Sequence, residues 1–168
     1  MTSGEAILGI DPGLTGAIAL YMPNRDTLFV GDVPLFELKR SGKLRREVDV
    51  HQLANMLADC AQHRPTVWIE HVSAMPGEGA VGAFTFGKTV GLLTGICVGL
   101  QLVIERVTPS VWKKAMGVTA DKDATRARAS QLLPQHASSW PLKKHDGRAE
   151  ASLIALYGAS KIAPRGSG

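Results

Sequence analysis

A single charge within an apolar run near the amino terminus constrains the fold most. Residues 6–20 read AILGIDPGLTGAIAL, and Asp11 is their only charged residue. Burying a bare carboxylate is unfavourable, so such a group is normally paired or bound to a metal. The run predicts two strands, residues 5–11 and 16–21, joined by the turn DPGLT. The first strand therefore ends in a carboxylate that needs a partner.

The apolar patterns that follow predict an α/β arrangement. Further strands are predicted at 27–33, at TVWIEHV (66–72) and at QLVIERV (101–107). Helices are predicted from Val50 to His63, over 80–99, 108–116 and 121–133, and from Asp146 onward. The charged segment 36–49 is predicted to be a loop. This order implies a mixed sheet, a three-strand antiparallel meander plus parallel strands, with helices on both faces.

Composition narrows the class of protein. The 168 residues, 45% of them hydrophobic, indicate one domain over 6–162 and a flexible tail at 163–168. The net charge of +4 favours a polyanionic partner. Two cysteines without metal-site spacing and the lack of a signal peptide favour an intracellular protein, cytoplasmic or nucleoid-associated and encoded by a bacterium or a phage. No stretch is expected to span a membrane, and residues 89–104 come closest.

Three further acids interrupt apolar surroundings. Glu70 ends the strand VWIE, and Asp146 and Glu150 share one face of the last helix at i and i+4. Together with Asp11 these carboxylates would repel one another unless a divalent cation held them. Oxygen ligands suit Mg²⁺ or Mn²⁺, and a pair of such ions can cleave phosphodiesters. Taken singly, Asp11 could instead form a turn and Glu70 an ordinary ion pair.

Three motifs carry a family resemblance across residues 6–158. GIDPGLTG, WIEHV and KKHDGRAEASLIALYG, in this order, resemble the RuvC-type Holliday junction resolvases, and the last motif is most similar to the chloroplast and phage branch. The resemblance implies an RNase H-like fold and a homodimer. It also implies symmetric Mg²⁺-dependent nicking of four-way DNA junctions, with two ions in each active site.

By position, the resemblance makes Asp11, Glu70, Asp146 and Glu150 the catalytic and metal-binding acids. Many bacterial members have two aspartates three residues apart in the last motif, whereas here the acids are four apart. Whether His145 or Asp146 is the working third ligand therefore stays open, and His145 is kept as a neighbouring catalytic candidate.

Basic and apolar side chains near these acids are candidates for DNA contact. Backbone phosphates are bound by cations, and apolar side chains can wedge between bases at a branch point. The phosphate candidates are Lys113, Lys114, Lys122, Arg126, Arg128, Lys143, Lys144 and Arg148. The wedge candidates are Met75, Phe84 and Phe86, although the two phenylalanines could simply pack inside.

Glycines recur every fourth residue of the predicted helix 80–99, at positions 87, 91, 95 and 99. This row permits close approach of another element, and packing against the chain's own sheet is the first interpretation; a two-fold dimer contact is the second. Two other functions also remain open. One is a nucleic-acid-binding module without catalysis, and the other is a fragment of an actin-like ATPase, whose first strand shares the pattern G-I-D-x-G.

Overall fold

The computed structural model describes residues 6–73, 79–119 and 121–162. The predicted tail at 163–168 and the predicted wedge residue Met75 lie outside these residues. The strands are β1 (Ile7–Asp11), β2 (Ala17–Met22), β3 (Thr27–Asp32), β4 (Leu35–Arg40), β5 (Lys43–Val48), β6 (Thr66–Glu70) and β7 (Ile104–Val107). The helices are α1 (Val50–Ala61), α2 (Ala80–Gly99), α3 (Pro109–Met116), α4 (Lys122–Leu132) and α5 (Asp146–Lys161).

The main sheet has five strands in the order β3-β2-β1-β6-β7. β1, β2 and β3 form an antiparallel meander, and β6 and β7 continue the sheet parallel to β1. One core lies between the sheet and α1 and α2, and the other lies between the sheet and α3, α4 and α5. The predicted mixed sheet with helices on both faces is confirmed.

α5 lies directly on β1 because glycine removes the side chain at the contact. A Cβ atom on Gly9 would overlap the backbone of Ala151 and Ala155. At the other end of the helix, a Cβ on Gly158 would come within 2.8 Å of Ile7 Cγ2. The first turn of α5 lies instead beside Asp11. The helix therefore runs antiparallel to β1 and begins where β1 ends.

The charged segment 36–49 is not a loop, so that prediction was wrong. It contains the hairpin of β4 and β5, paired in register from Leu35 with Val48 to Arg40 with Lys43. Ser41 and Gly42 both have positive φ, 50° and 75°, which suits a two-residue hairpin turn. Charged residues stand on both faces of each strand, so the alternation that normally reveals a strand is weak.

The glycine row of α2 does not pack against the sheet, so the first interpretation of it was wrong. A Cβ added to any of the four glycines would meet nothing within 4 Å. The buried residues of α2 are Thr89, Leu93 and Cys97, two positions after successive glycines. Two residues correspond to about 200° around a helix, so the glycine row faces outward.

The prediction that no stretch could span a membrane is corrected by α2. This helix is long and apolar enough to cross a membrane, and only 17% of its most apolar 18-residue segment is buried. A single helix of this kind is weak evidence for a membrane protein, since helices of other proteins meet the same criterion. Its exposed apolar face nevertheless requires an explanation.

Candidate active site at the carboxyl edge of the sheet

Asp11 and Glu70 end neighbouring parallel strands at the same edge of the sheet. Ile10 pairs with Ile69 in the register of β1 and β6, and each acid is the next residue along its strand. Adjacent strands lie about 4.8 Å apart, and side chains alternate between the two faces. Ile10 and Ile69 belong to the core under α1 and α2. Asp11 and Glu70 therefore both project toward the face covered by α5.

The first turn of α5 brings the next acids to this edge. A Cβ on Gly147 would lie 2.4 Å from the Thr15 carbonyl oxygen and 3.2 Å from Asp11 Oδ2, so glycine is needed for the helix to start this close to the end of β1. Asp146 is the first residue of α5, and Glu150 follows one turn later on the same side. The positive end of the helix dipole at this terminus favours a nearby anion. Three separate chain segments thus meet at one edge.

Glu70 is buried, with 8% of its surface exposed, and is held by an indole. Trp112 Nε1 on α3 donates a hydrogen bond to Glu70 Oε1 at 2.8 Å. Burial raises the pKa of Glu70, the indole hydrogen bond opposes that rise, and the charge of Glu150 adds to it. Glu150 is therefore close enough for the two carboxylates to repel each other.

Glu150 and Asp146 are paired with cations from two other helices. Lys113 Nζ on α3 lies 3.1 Å from Glu150 Oε1. Arg126 Nε on α4 lies 2.9 Å from Asp146 Oδ1. Arg126 also donates to Asp123, and these two acids raise its pKa, Asp123 more strongly. Two predicted DNA contacts, Lys113 and Arg126, are thus brought into the acidic site itself.

Within the described part of the chain, no group of three or more histidine, cysteine, aspartate or glutamate side chains is arranged to hold a metal ion. The donor chemistry at this edge nevertheless suits a hard divalent cation, because the acids supply only carboxylate oxygens. In the structure, Lys113 and Arg126 neutralise part of that charge. Each of these contacts uses one carboxylate oxygen, Oε1 of Glu150 and Oδ1 of Asp146.

His145 is buried directly before α5 and has a local role in the structure. Its Nδ1 accepts a hydrogen bond from the backbone N–H of Leu142 at 3.3 Å, which orders the turn into the helix. Burial lowers the pKa of His145, and the charge of Arg148 lowers it further. Both effects favour the neutral imidazole, and its hydrogen bond involves backbone rather than an acid.

Arg148 binds Asp32, an acid that was not among the candidates predicted from the sequence. Its guanidinium binds Asp32 at the end of β3 through two hydrogen bonds of 2.7 Å, and it also donates to the Ser139 carbonyl at 3.2 Å. This hydrogen bonding to Arg148 lowers the pKa of Asp32. Bidentate pairs of this kind fix orientation as well as charge. The pair ties the start of α5 to the edge of the meander.

The remaining candidates are placed as follows. Lys114, Lys143 and Lys144 are exposed, and Arg128 Nε binds the Met116 carbonyl. The side chain of Lys122 and the whole of Met75 lie outside the part of the chain that the structure describes. Phe84 is 74% exposed on α2, whereas Phe86 is partly buried.

A cavity of about 230 Å³ lies beside Glu70. It is lined by Phe86 and also by His71 and Arg106, which were not predicted from the sequence.

A mixed sheet with acids at the carboxyl ends of β1 and β6 and at the start of a covering helix defines the class of RNase H-like folds. Comparison with solved structures identifies the particular fold as that of RuvC. Thermus thermophilus RuvC in complex with a Holliday junction substrate matches with a TM-score of 0.60 at 16% identity, over 94% of this chain and 96% of the other. A second structure of this RuvC gives 0.54 at 18% identity, over 92% and 96%.

Sequence comparison leads to the same group of proteins. The chloroplastic Holliday junction resolvase MOC1 of Chlamydomonas reinhardtii is 31% identical over 121 residues, which is 69% of this chain but 14% of that protein. The chain therefore spans only a small part of the length of this relative. No family model matches the chain. The resemblance to RuvC-type resolvases that the motifs indicate is confirmed in sequence and in fold.

Proposed function

We propose that this chain is a structure-selective endonuclease that resolves four-way DNA junctions by metal-dependent phosphodiester hydrolysis. The observation that carries the proposal is the meeting of Asp11, Glu70 and the first turn of α5 at one edge of the sheet. The resemblance to RuvC and to the MOC1 resolvase supports DNA junctions as the substrate.

The chain's own residues give each acid a defined role in this proposal. Asp11, Glu70 and Glu150 would hold the cation, and Asp146 would complete the site from the edge nearest α4. Bound Mg²⁺ would activate water and stabilise the leaving oxygen. Trp112 fixes the orientation of Glu70 through its indole N–H. Lys113 and Arg126, once exchanged from Glu150 and Asp146, would face the phosphate backbone.

Removing the carboxylate at the centre of the site tests the proposal. Asp11→Asn should lower the rate of junction nicking in Mg²⁺ by at least about 100-fold, because even outer partners of metal ligands are worth 10- to 100-fold. Junction binding should be retained. Asp59→Asn, an exposed site on α1, is the matched control and should nick normally. Equal nicking by both variants would overturn the assignment of Asp11.

The metal requirement is tested without measuring activity. Mg²⁺ should raise the melting temperature of the wild type, because a ligand that binds only the folded state stabilises it. Glu70→Gln should reduce that rise, and calorimetric titration should show weaker Mg²⁺ binding. If the wild type binds junctions but shows neither a rise nor cleavage, the chain is a binding module without catalysis.

We further propose a homodimer that uses the outward face of α2. Val98 is 61% exposed there, and the glycine row leaves room for a second backbone. An isologous dimer would present two copies of one site to a symmetric substrate.

Sedimentation analysis tests the dimer. The wild type should sediment as a dimer and Gly91→Glu as a monomer, because a charge would be buried at the contact. Ala58→Glu places the same charge on an exposed position of α1 and should leave the dimer intact. A monomeric wild type would reject this interface.

The compartment follows from the substrate. The name of the relative assigns MOC1 to the chloroplast. For this chain we propose a compartment inside the cell that contains DNA, without distinguishing between a bacterium, a phage-infected cell and an organelle.

A further inference from the structure

The β4–β5 hairpin concentrates positive charge away from the residues assigned above. Its strands hold five basic residues and two acidic ones, which is a net charge of +3 against +4 for the whole chain. The basic residues are Lys39, Arg40, Lys43, Arg45 and Arg46. All five are exposed, and the hairpin does not belong to the main sheet. Stability of the core does not explain why so much charge is placed here.

The hairpin and α2 enclose a basic cavity of about 300 Å³. Arg40, Arg45, Arg46 and Lys88 line it, together with Glu47 as its only acid among the described residues. Glu47 lies 3.8 Å from Lys88, which neutralises that acid. None of the three arginines makes an ion pair with another described residue. The wall of the cavity therefore includes three arginines that form no ion pair with a described residue, and Arg46 lies opposite Glu37 in the register of the hairpin.

The cavity opens beside the candidate active site. Leu14, in the turn that follows β1, forms part of its wall. Leu14 is the third residue after Asp11, so their Cα atoms lie at most roughly 11 Å apart. Phe84 forms the wall on the α2 side. The acids project toward α5 and the cavity lies on the α2 side, so a strand of nucleic acid leaving the acidic edge would reach the hairpin by passing around the turn that contains Leu14.

We infer that the β4–β5 hairpin and the facing part of α2 form a second phosphate-binding surface, which holds the DNA backbone next to the cleavage site. The inference rests on the proposed junction-cleaving function. Guanidinium groups match phosphate geometry through paired N–H donors, which favours the DNA backbone over an acidic peptide of scattered carboxylates. The contact is to backbone, so it adds affinity and salt dependence without reading base sequence.

A triple variant, R40Q/R45Q/R46Q, tests the inference. The equilibrium constant for binding a four-way junction is measured over a series of salt concentrations. Each phosphate contact contributes about 0.9 to the slope of log K against log salt, so three lost contacts should lower that slope by roughly 2 to 3.

The control removes the same charge from the opposite edge of the sheet. R25Q/R64Q/K161Q changes three exposed residues there and should lower the slope by less than about 1. Equal effects of the two triple variants would overturn the inference. The same measurements on linear duplex separate the two proposals: if wild type binds duplex and junction equally but only R40Q/R45Q/R46Q loses slope, the hairpin contact stands and junction selectivity fails.

Discussion

α5 and α2 are both apolar helices with several small residues, yet they use glycine in opposite ways. On α5, Gly147 faces the Asp11 carboxylate and Gly158 faces the Trp68 ring, with no room for a Cβ at either position. On α2, the glycines face outward and a Cβ would meet nothing within 4 Å. One helix is fixed to the sheet by its glycines, and the other exposes them.

The contrast shows that small residues on a helix face permit close packing but do not identify the element that packs there. α5 buries its face against β1 within the chain, and this contact brings the acids together. α2 buries only a narrow stripe around Leu93. Within the described residues, a Cβ on any glycine of its wide face would meet nothing within 4 Å.

The largest effect is expected from a substitution that disrupts the close contact between α5 and β1. Gly9→Ala should destabilise the protein by about 3 kcal/mol or more, because its Cβ would overlap the backbone of Ala151 and Ala155, which cannot move without shifting α5. Denaturant unfolding measures the change. Should Gly9→Ala be too unstable to purify, Gly158→Ala, which meets mainly the Trp68 side chain, should give a smaller loss. A loss below about 0.5 kcal/mol for both would mean that α5 is not held as described.

An intermediate effect on stability is expected at Glu70, the carboxylate buried beneath α3 and α5. Folding raises the pKa of Glu70, so the folded state binds its proton more strongly and stability falls as the pH rises from about 4.5 through the raised pKa. Glu70→Gln keeps an oxygen for the Trp112 indole and removes the charge. In EDTA the variant should be more stable than wild type at pH 7 by about 1–3 kcal/mol, and the difference should vanish in acid.

Unfolding curves over a pH series measure this difference. Glu105→Gln, at an exposed position on β7, is the matched control and should keep the wild-type profile. Parallel pH profiles for wild type and Glu70→Gln would contradict the raised pKa.

The smallest effect is expected from a substitution in the glycine row of α2. Gly95→Ala should stabilise the monomer by about 0.5–1 kcal/mol, because alanine is the better helix former and its Cβ meets nothing here. If the dimer uses this face, the same change should weaken self-association, which sedimentation at several concentrations would show. A destabilised monomer would mean that the glycine row is already covered.

The strands and helices of the core were predictable, because Ile7, Leu8 and Ile10 lie in one apolar run, Leu53 and Leu57 recur at helix spacing, and all five are buried. The hairpin was not, since its charges hide any alternation. The pair Ser41-Gly42 was nevertheless a readable turn signal between two runs of equal length.

The acids of the site were predictable as residues, while their partners were not. Asp11 and Glu70 stand out as lone charges at the ends of apolar strands. Trp112, Lys113 and Arg126 reach the site from helices whose docking depends on the whole fold, and spacing in sequence does not encode that. Likewise, periodicity gives the faces of α2 but not which face the sheet covers.

The first turn of α5 is secured in four directions: Asp146 to α4, Gly147 to β1, Arg148 to β3 and Glu150 to α3. Helix ends usually fray, and their amides exchange with solvent through small local openings. Opening this turn would instead break contacts with four elements at once. These side-chain contacts should therefore persist until the whole domain unfolds, and any thermal loosening of the acids should coincide with global unfolding.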